Sequence, residues 1–349
     1  MPSAKRNKSF WIVGILLAIL MLGWNVAWLA ASMMSDRYLN AWIGREKQAG
    51  REWSCKERKT SGWPTSFGFT CKDALMLSQQ RGGQQKLNLQ GVSVFYSLSS
   101  PRSAKINLTG PLIFEDTAGS QSISARWENL GIELNYPWPS PPTATATARN
   151  FQVSSNSAGS EQAIILASSL NLKLRVNEKQ GSPRSLSINL DGDGIASRAL
   201  DEALANPAPT KLNAVLDVSH FEHLLRGDMR TRLASWQQTG GSLNIIEFKS
   251  SKGAIALEAE GRINLDTLRR PAGNLNVRAA GMGAIFQRFG LPGASSGRPG
   301  LLGGLLRKPA APPEAAEQPG RFIPLPLGLR DGAVWLGPLK TPIALRPLF

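Results

Sequence analysis

A chain of 349 residues, 42% hydrophobic and 19% charged, has enough apolar material for one large or two modest folded domains, and too much for a disordered chain. Forty Lys and Arg against 25 Asp and Glu leave a net charge of +15, spread along the sequence, which favours anionic partners such as lipid or anionic glycolipid. Nucleic acid is the poorer partner, because there are only three tyrosines and no basic run is interleaved with stacking aromatics.

From Phe10 to Met34 the chain is almost continuously apolar, interrupted by Asn25 and Ser32. About 20 residues of helix cross a bilayer, so 10–34 is expected as a transmembrane anchor. Lys5, Arg6 and Lys8 precede it, whereas only Asp36 and Arg37 follow closely. The positive-inside rule then puts residues 1–9 in the cytoplasm and the bulk of the chain in the periplasm. Trp11, Trp24 and Trp28 suit the two interfaces. A cleaved signal peptide is the competing reading, but its apolar region would be too long and no Ala-x-Ala pair sits at the right place after it. Residues 35–50 continue as a juxtamembrane helix, with Tyr38, Leu39, Trp42 and Ile43 at helical spacing.

Beyond Gly50 the period changes from 3.6 to 2. Cys55 shares parity with Trp53, and Cys71 with Phe67 and Phe69, on two strands joined by a turn at Ser61-Gly-Trp-Pro64. In an oxidising compartment that pair is expected to form a disulfide. Val92, Val94, Tyr96 and Leu98 alternate with polar residues, while Leu87 and Leu89 lie in the opposite parity. The slip at Gln90-Gly91 predicts a β-bulge with Gly91 left-handed. Pro101-Arg-Ser103 is expected in a turn before Ile106, Leu108, Leu112 and Phe114, and Glu115-Asp116 in the turn after them. Ile123, Ala125 and Trp127 are expected to pair with Ile132, Leu134 and Tyr136. Leu170, Leu172, Leu174 and Val176 answer Leu186, Ile188 and Leu190 across Gly181-Ser-Pro183. Ile255, Leu257, Ala259, Ile263 and Leu265 answer Leu275, Val277 and Ala279 across Arg270-Pro-Ala-Gly273.

Helical patterning interrupts the strands at 196–205, at 219–238 with a break near Gly227, and at 282–289. Residues 291–321, rich in Gly, Pro and Ala, read as a flexible segment. In 322–349, Leu325, Leu327 and Leu329 lead into an Asp331-Gly332 turn and Val334-Trp-Leu336, strands that rejoin the β-rich domain of 51–290. The fold class is therefore mainly β: an antiparallel long curved sheet, or an open barrel or sandwich, with a few short helices and one transmembrane helix.

These features resemble a known family. The anchor, a helix ending near Gly50, Trp53, the Ser61-Gly-Trp-Pro64 turn, the Phe67-x-Phe69 strand and the closing Leu329-Arg-Asp-Gly-Ala-Val-Trp-Leu-Gly-Pro-Leu339 are similar to the envelope proteins grouped as domain of unknown function 2125. The segments Gly253-Ala-Ile-Ala-Leu-Glu-Ala-Glu-Gly-Arg-Ile-Asn-Leu265 and Arg270-Pro-Ala-Gly-Asn-Leu-Asn-Val277 are similar to repeats of AsmA-like proteins. That second resemblance implies long curved β-sheets associated with phospholipid transport and outer-membrane homeostasis. Neither implies catalytic residues.

No catalytic, cofactor or metal site is expected. His220 and His223 share a helix face but lack further zinc ligands. Asp191-Gly-Asp-Gly194 has Ile195 where a calcium loop needs an oxygen ligand, and is expected as a turn after Leu190. Gly281-Met-Gly283 is not a dinucleotide loop, and no Gly-x-Ser-x-Gly elbow occurs. What remains is a surface: an apolar sheet face that includes Val92, Val94, Leu172, Leu174, Ile255 and Leu257, either open as a groove or closed as core. The function expected is a periplasmic β-domain, held at the inner membrane, that binds or carries lipid in envelope maintenance. The alternative is a non-enzymatic structural protein docking another envelope protein through a sheet face or edge.

Overall fold

The computed structural model describes residues 7–48, 50–63, 65–80, 83–97, 100–116, 121–137, 139–157, 160–178, 183–225, 227–282 and 322–349. The chain divides into two compact units: Met1–Arg126 with Ser155–Glu161, and Trp127–Ser154 with Gln162–Phe349. The expected fold class holds, since strands dominate both and every pairing is antiparallel. The expected helix at 282–289 and the segment 291–321 fall beyond Met282, outside the described residues.

The first unit opens with one unbroken helix, α1 (Asn7–Gln48), 42 residues and so about 63 Å long. It is long and apolar enough to cross a membrane. Every residue from Phe10 to Ala27 is exposed, and Trp28 is the first that is not. From there α1 runs along a hairpin of β1 (Arg51–Ser61) and β2 (Ser66–Gln80). Trp28 meets Phe67 edge-on at 6.1 Å, and its indole N–H donates to the Ser66 carbonyl at 3.3 Å. Arg58 reaches back to Asp36 and Asn40. Trp42 packs on Trp53 at 5.4 Å, and Glu46 takes Arg51 at 2.5 Å. The hydrogen bond from Arg51, helped by one from Trp53, holds the Glu46 carboxyl below its usual range.

Strands β3 (Gly83–Ser97), β4 (Ser100–Asp116) and β5 (Gln121–Arg126) follow in sequence order, each paired with its predecessor. The bulge in β3 is where the phase slip placed it, between Leu89 and Gly91, but Gly91 is not among the glycines at positive φ. Pro101-Arg-Ser103 and Glu115-Asp116 lie within β4 rather than in turns, because their neighbours complete the ladders to β3 and Glu115 pairs with Lys86 at 3.0 Å.

In the second unit, β6 (Asn129–Asn135) pairs with β7 (Thr143–Ser157), not with the strand carrying Ile123, which pairs with β4. Next come β8 (Ser160–Asn177), β9 (Ser185–Ile195), α2 (Arg198–Leu204), β10 (Thr210–Ser219), a 3-10 turn at Phe221–Leu224, α3 (Met229–Gln238), β11 (Leu243–Lys252), β12 (Ile255–Leu265), β13 (Pro271–Ala280), β14 (Ile323–Arg330), β15 (Ala333–Leu336) and β16 (Leu339–Ala344). From β8 to β16 each strand bonds to the next. Turn chemistry sets the connections. Asp331 and Gly332 carry φ of 54° and 69°, the paired left-handed geometry that a two-residue hairpin needs. Asp228 caps α3 by accepting from the Thr231 amide at 2.8 Å. Asp266 closes the β12–β13 turn, accepting from the Leu268 amide at 2.9 Å, the Arg270 amide at 2.8 Å and the Arg270 guanidinium at 2.7 Å.

Candidate functional site

Directly opposed residues in an antiparallel sheet point to the same face, so the register orders the side chains into rows. In the second unit four such rows run across successive strands. One is Val176, Leu186, Val218, Leu243, Ile263, Gly273, Leu329, Val334. The next is Leu174, Ile188, Leu216, Ile245, Gly261, Leu275, Leu327, Leu336. A third holds Leu172, Leu190, Ala214, Phe248, Ala259, Val277 and Leu325. The fourth holds Leu170, Gly192, Leu212, Ser250, Leu257, Ala279 and Ile323. The expected site residues Leu172, Leu174 and Leu257 all fall on this face.

Most of the large side chains in these rows are neither buried nor fully exposed. Among the described residues of this unit the buried apolar ones are small alanines, with Val277 and Trp236 as the larger exceptions. Helices α2 and the 3-10 turn bury no side chain, and α3 buries only Trp236. At about 25 cal/mol per Å², each half-covered leucine forgoes on the order of 1 kcal/mol of burial that a hydrocarbon laid along the rows would restore.

One level beyond the fourth row lies a buried charge. Thr210 faces Lys252, and Lys252 faces Ile255, the remaining expected site residue of this unit. Lys252 is only 2% exposed. Its ammonium pairs with Asp201 of α2 at 2.5 Å and donates to the Ala208 carbonyl, while Asn206 donates to the Lys252 carbonyl at 2.9 Å. The helix is thereby clasped over this end of the face. Nothing in the sequence pattern distinguished Lys252 from the exposed lysines.

The opposite face is wet and self-neutralised. Asn171, Asp191, Asn213, Lys249, Glu258 and Arg278 stand in one row. Lys211 pairs with Asp193 at 3.6 Å, Lys249 with Glu247 at 2.6 Å and Arg278 with Glu258 at 2.5 Å. A depression of about 600 Å³ on it is lined by Asn171, Asp191, Asp193, Lys211, Lys249 and Glu258 among others, with Phe322. Asp191-Gly-Asp-Gly194 is therefore not a turn. It stays in β9 because each carboxylate finds a partner across the ladder, and Gly192 lies in the apolar rows where a Cβ would press on Ile195 and Leu170.

The first unit repeats the principle. Trp53, Met76, Leu87, Phe114 and Ile123 form one row, and Cys55, Ala74, Leu89, Leu112 and Ala125 the next. Beyond them lie Arg58, Cys71, Val92 and Leu108, then Thr60, Phe69, Val94 and Ile106. Val92 and Val94 are half-buried members of this face. Cys55 and Cys71 are disulfide-bonded, with Cα atoms 5.8 Å apart. Since they occupy adjacent rows, both rows face the same way although Cys71 and Ala74 are three residues apart. The disulfide thus spans the level at which the alternation slips. Asp73, with φ of 51°, sits in the slip on β2, level with the β3 bulge.

The family model described as "Uncharacterized protein conserved in bacteria (DUF2125)" matches residues 28–344. The chain belongs to that family. No curated protein and no solved structure matches it. The DUF2125 match begins at Trp28, the residue at which α1 first touches the sheet, and runs through β16. It therefore takes in both apolar faces and leaves out the exposed, membrane-length part of α1.

The two histidines do not converge on a ligand site. Their rings are 6.5 Å apart, and His223 Nδ1 bonds the Ser235 hydroxyl at 2.8 Å, tying the 3-10 turn to α3. His220, at φ of 54°, makes the corner. Among the described residues, no group of three or more His, Cys, Asp or Glu is placed to hold a metal ion.

Proposed function

We propose that this DUF2125 protein is a periplasmic β-domain, held at the inner membrane by α1, that binds or carries lipid acyl chains along its apolar sheet face in envelope maintenance. The observation that carries the reading is the set of continuous aliphatic rows from β8 to β15 whose larger side chains are half-buried rather than fully buried. Rows of Leu, Val and Ile, with neighbours in a row about 4.8 Å apart and successive rows about 7 Å apart, make a surface that suits extended alkyl chains and offers few polar groups for them to strip of water. The net charge of +15 favours anionic headgroups beside it. Lys5, Arg6 and Lys8 before the apolar span support the periplasmic side. The role proposed is a non-enzymatic one.

Docking of another envelope protein through the sheet edge is the second reading. Leu339 and Ile343 of β16 are exposed, yet Pro342 within that strand removes a backbone donor, a feature that blunts edge pairing.

Native mass spectrometry of the full chain, released from nanodiscs, tests the proposal. Lipid adducts are expected on the natural chain, reduced in Leu172→Asp and Leu257→Asp and unchanged in the polar-face variant Asn171→Asp. Equal adducts on all four would overturn it, since only lipid around α1 would then be counted.

A further inference from the structure

A different part of the molecule carries a second membrane contact, one resting on the reading of α1 as a membrane-crossing helix. Eighteen residues, Phe10 to Ala27, are exposed without interruption, and at 1.5 Å per residue they reach about 27 Å, close to the hydrocarbon thickness of a bilayer. Trp28 follows directly and is fastened to Ser66 and Phe67, the first residues of β2. The turn that precedes them is closed on itself, with the Ser66 amide and hydroxyl both donating to the Gly62 carbonyl at 2.7 and 2.9 Å. That turn therefore lies at the level where the helix leaves the hydrocarbon.

The direction of the strands agrees. As α1 advances from Trp28 to Trp42, its partners on the hairpin advance from Phe67 to Trp53, which faces Met76. Strand β2 thus runs with the helix, and the turn is the end of the hairpin nearest the exposed span. Aromatic side chains collect at this end and stay outside the core: Trp63 is 56% exposed, and Tyr96, opposite Phe67, is 45% exposed. Trp24 lies one helical turn before Trp28 and is 43% exposed. An exposed indole on a closed turn is poorly matched to water and well matched to the headgroup layer, where Trp and Tyr are enriched.

We infer that the β1–β2 turn is seated in the interfacial layer of the bilayer that α1 crosses, with Trp63 inserted at the level of Trp28 and Tyr96 at its margin. The strands of the first unit then stand out from the membrane, and the Phe67 row is the part of their apolar face that meets lipid first.

Site-directed spin labelling of the full chain in phosphatidylethanolamine–phosphatidylglycerol nanodiscs tests this, because the two native cysteines are bonded to each other and leave an introduced thiol as the labelling site. Labels go at Leu17→Cys in the exposed span, at Trp63→Cys, at Tyr96→Cys and at Lys47→Cys, which lies roughly 28 Å along α1 beyond Trp28. Collision with a water-soluble nickel chelate is expected to be lowest at 17, at least about threefold lower at 63 than at 47, and intermediate at 96. If 17 is shielded while 63 and 96 match 47, the turn is not seated and the inference fails although the anchor stands. If 17 also matches 47, the anchor reading itself fails and takes the inference with it.

Discussion

The two units solve the same problem with different material. Each presents one apolar sheet face, but the first lays the C-terminal half of α1 over the β1–β2 edge of its face, with Trp28 and Trp42 on Phe67 and Trp53, and adds the Cys55–Cys71 bond. The second has no comparable helix among the described residues: α2, the 3-10 turn and α3 bury a single side chain between them, and α2 is held by the Lys252–Asp201 pair. The first face is stapled and partly roofed; the second is clasped at one end. The turns, clasps and ladders that hold each face are the places to perturb.

The largest effect is expected at the clasp. Asp201→Ala leaves the Lys252 ammonium buried with its charge unmatched, and breaking such a pair costs about 3 kcal/mol or more. Denaturant unfolding monitored by hydrogen exchange in β10 and β11 should show the loss, and adding Lys252→Met should recover much of it. An undiminished midpoint in the single variant would mean that α2 does not hold the second face.

Cys55→Ala with Cys71→Ala sharpens the contrast from the other side. Opening a crosslink between residues 16 apart should cost roughly 3 kcal/mol, and faster exchange should be confined to β1 and β2. A uniform loss across both units would mean that the bond does not act locally.

Asp266→Ala removes the acceptor of three donors at the β12–β13 turn, for about 1–3 kcal/mol. Burial raises the Asp266 pKa, but the hydrogen bonds from Arg270 and Leu268 outweigh it, so the folded value lies below the ordinary one. Its contribution is therefore present above the ordinary carboxylate range and is lost as pH falls through the folded value. Acid unfolding of the second unit should be less steep in Asp266→Asn. The smallest effect belongs to the wet face. Lys211→Ala breaks an exposed 3.6 Å ion pair and should leave the melting temperature within error.

Strands with large alternating side chains were legible in the sequence, as in Leu170–Val176 or Ile255–Leu265, because a residue that must be half-covered on one face and wet on the other writes its own period. The Cys55–Cys71 pairing was legible for the same reason. Strand β7 was not among the expected elements, since its inward positions are Ala144, Ala146 and Ala148, small residues set against Leu134, Ile132 and Leu130. In β10 the alternation of Leu212, Ala214, Leu216 and Val218 is present, but it runs directly into the helical pattern that begins at Ser219. The bulge at Gly91 was readable from its phase slip, its backbone conformation was not. Partners distant in sequence, such as Asp201 for Lys252, 51 residues apart, leave no local signal at all.

Contact between lipid and the proposed apolar face of the second unit can be read in cells. The most direct measurement is photocrosslinking in living cells with benzoylphenylalanine placed along β8 and β13–β14 by parity: at Leu172, Leu275 and Leu325 on one face, and at Asn171 and Asn276 on the other. Lipid adducts, identified by mass spectrometry of the purified chain, are expected at the first three positions and none at the other two. Adducts without regard to parity, or protein adducts alone on the apolar positions, would contradict it.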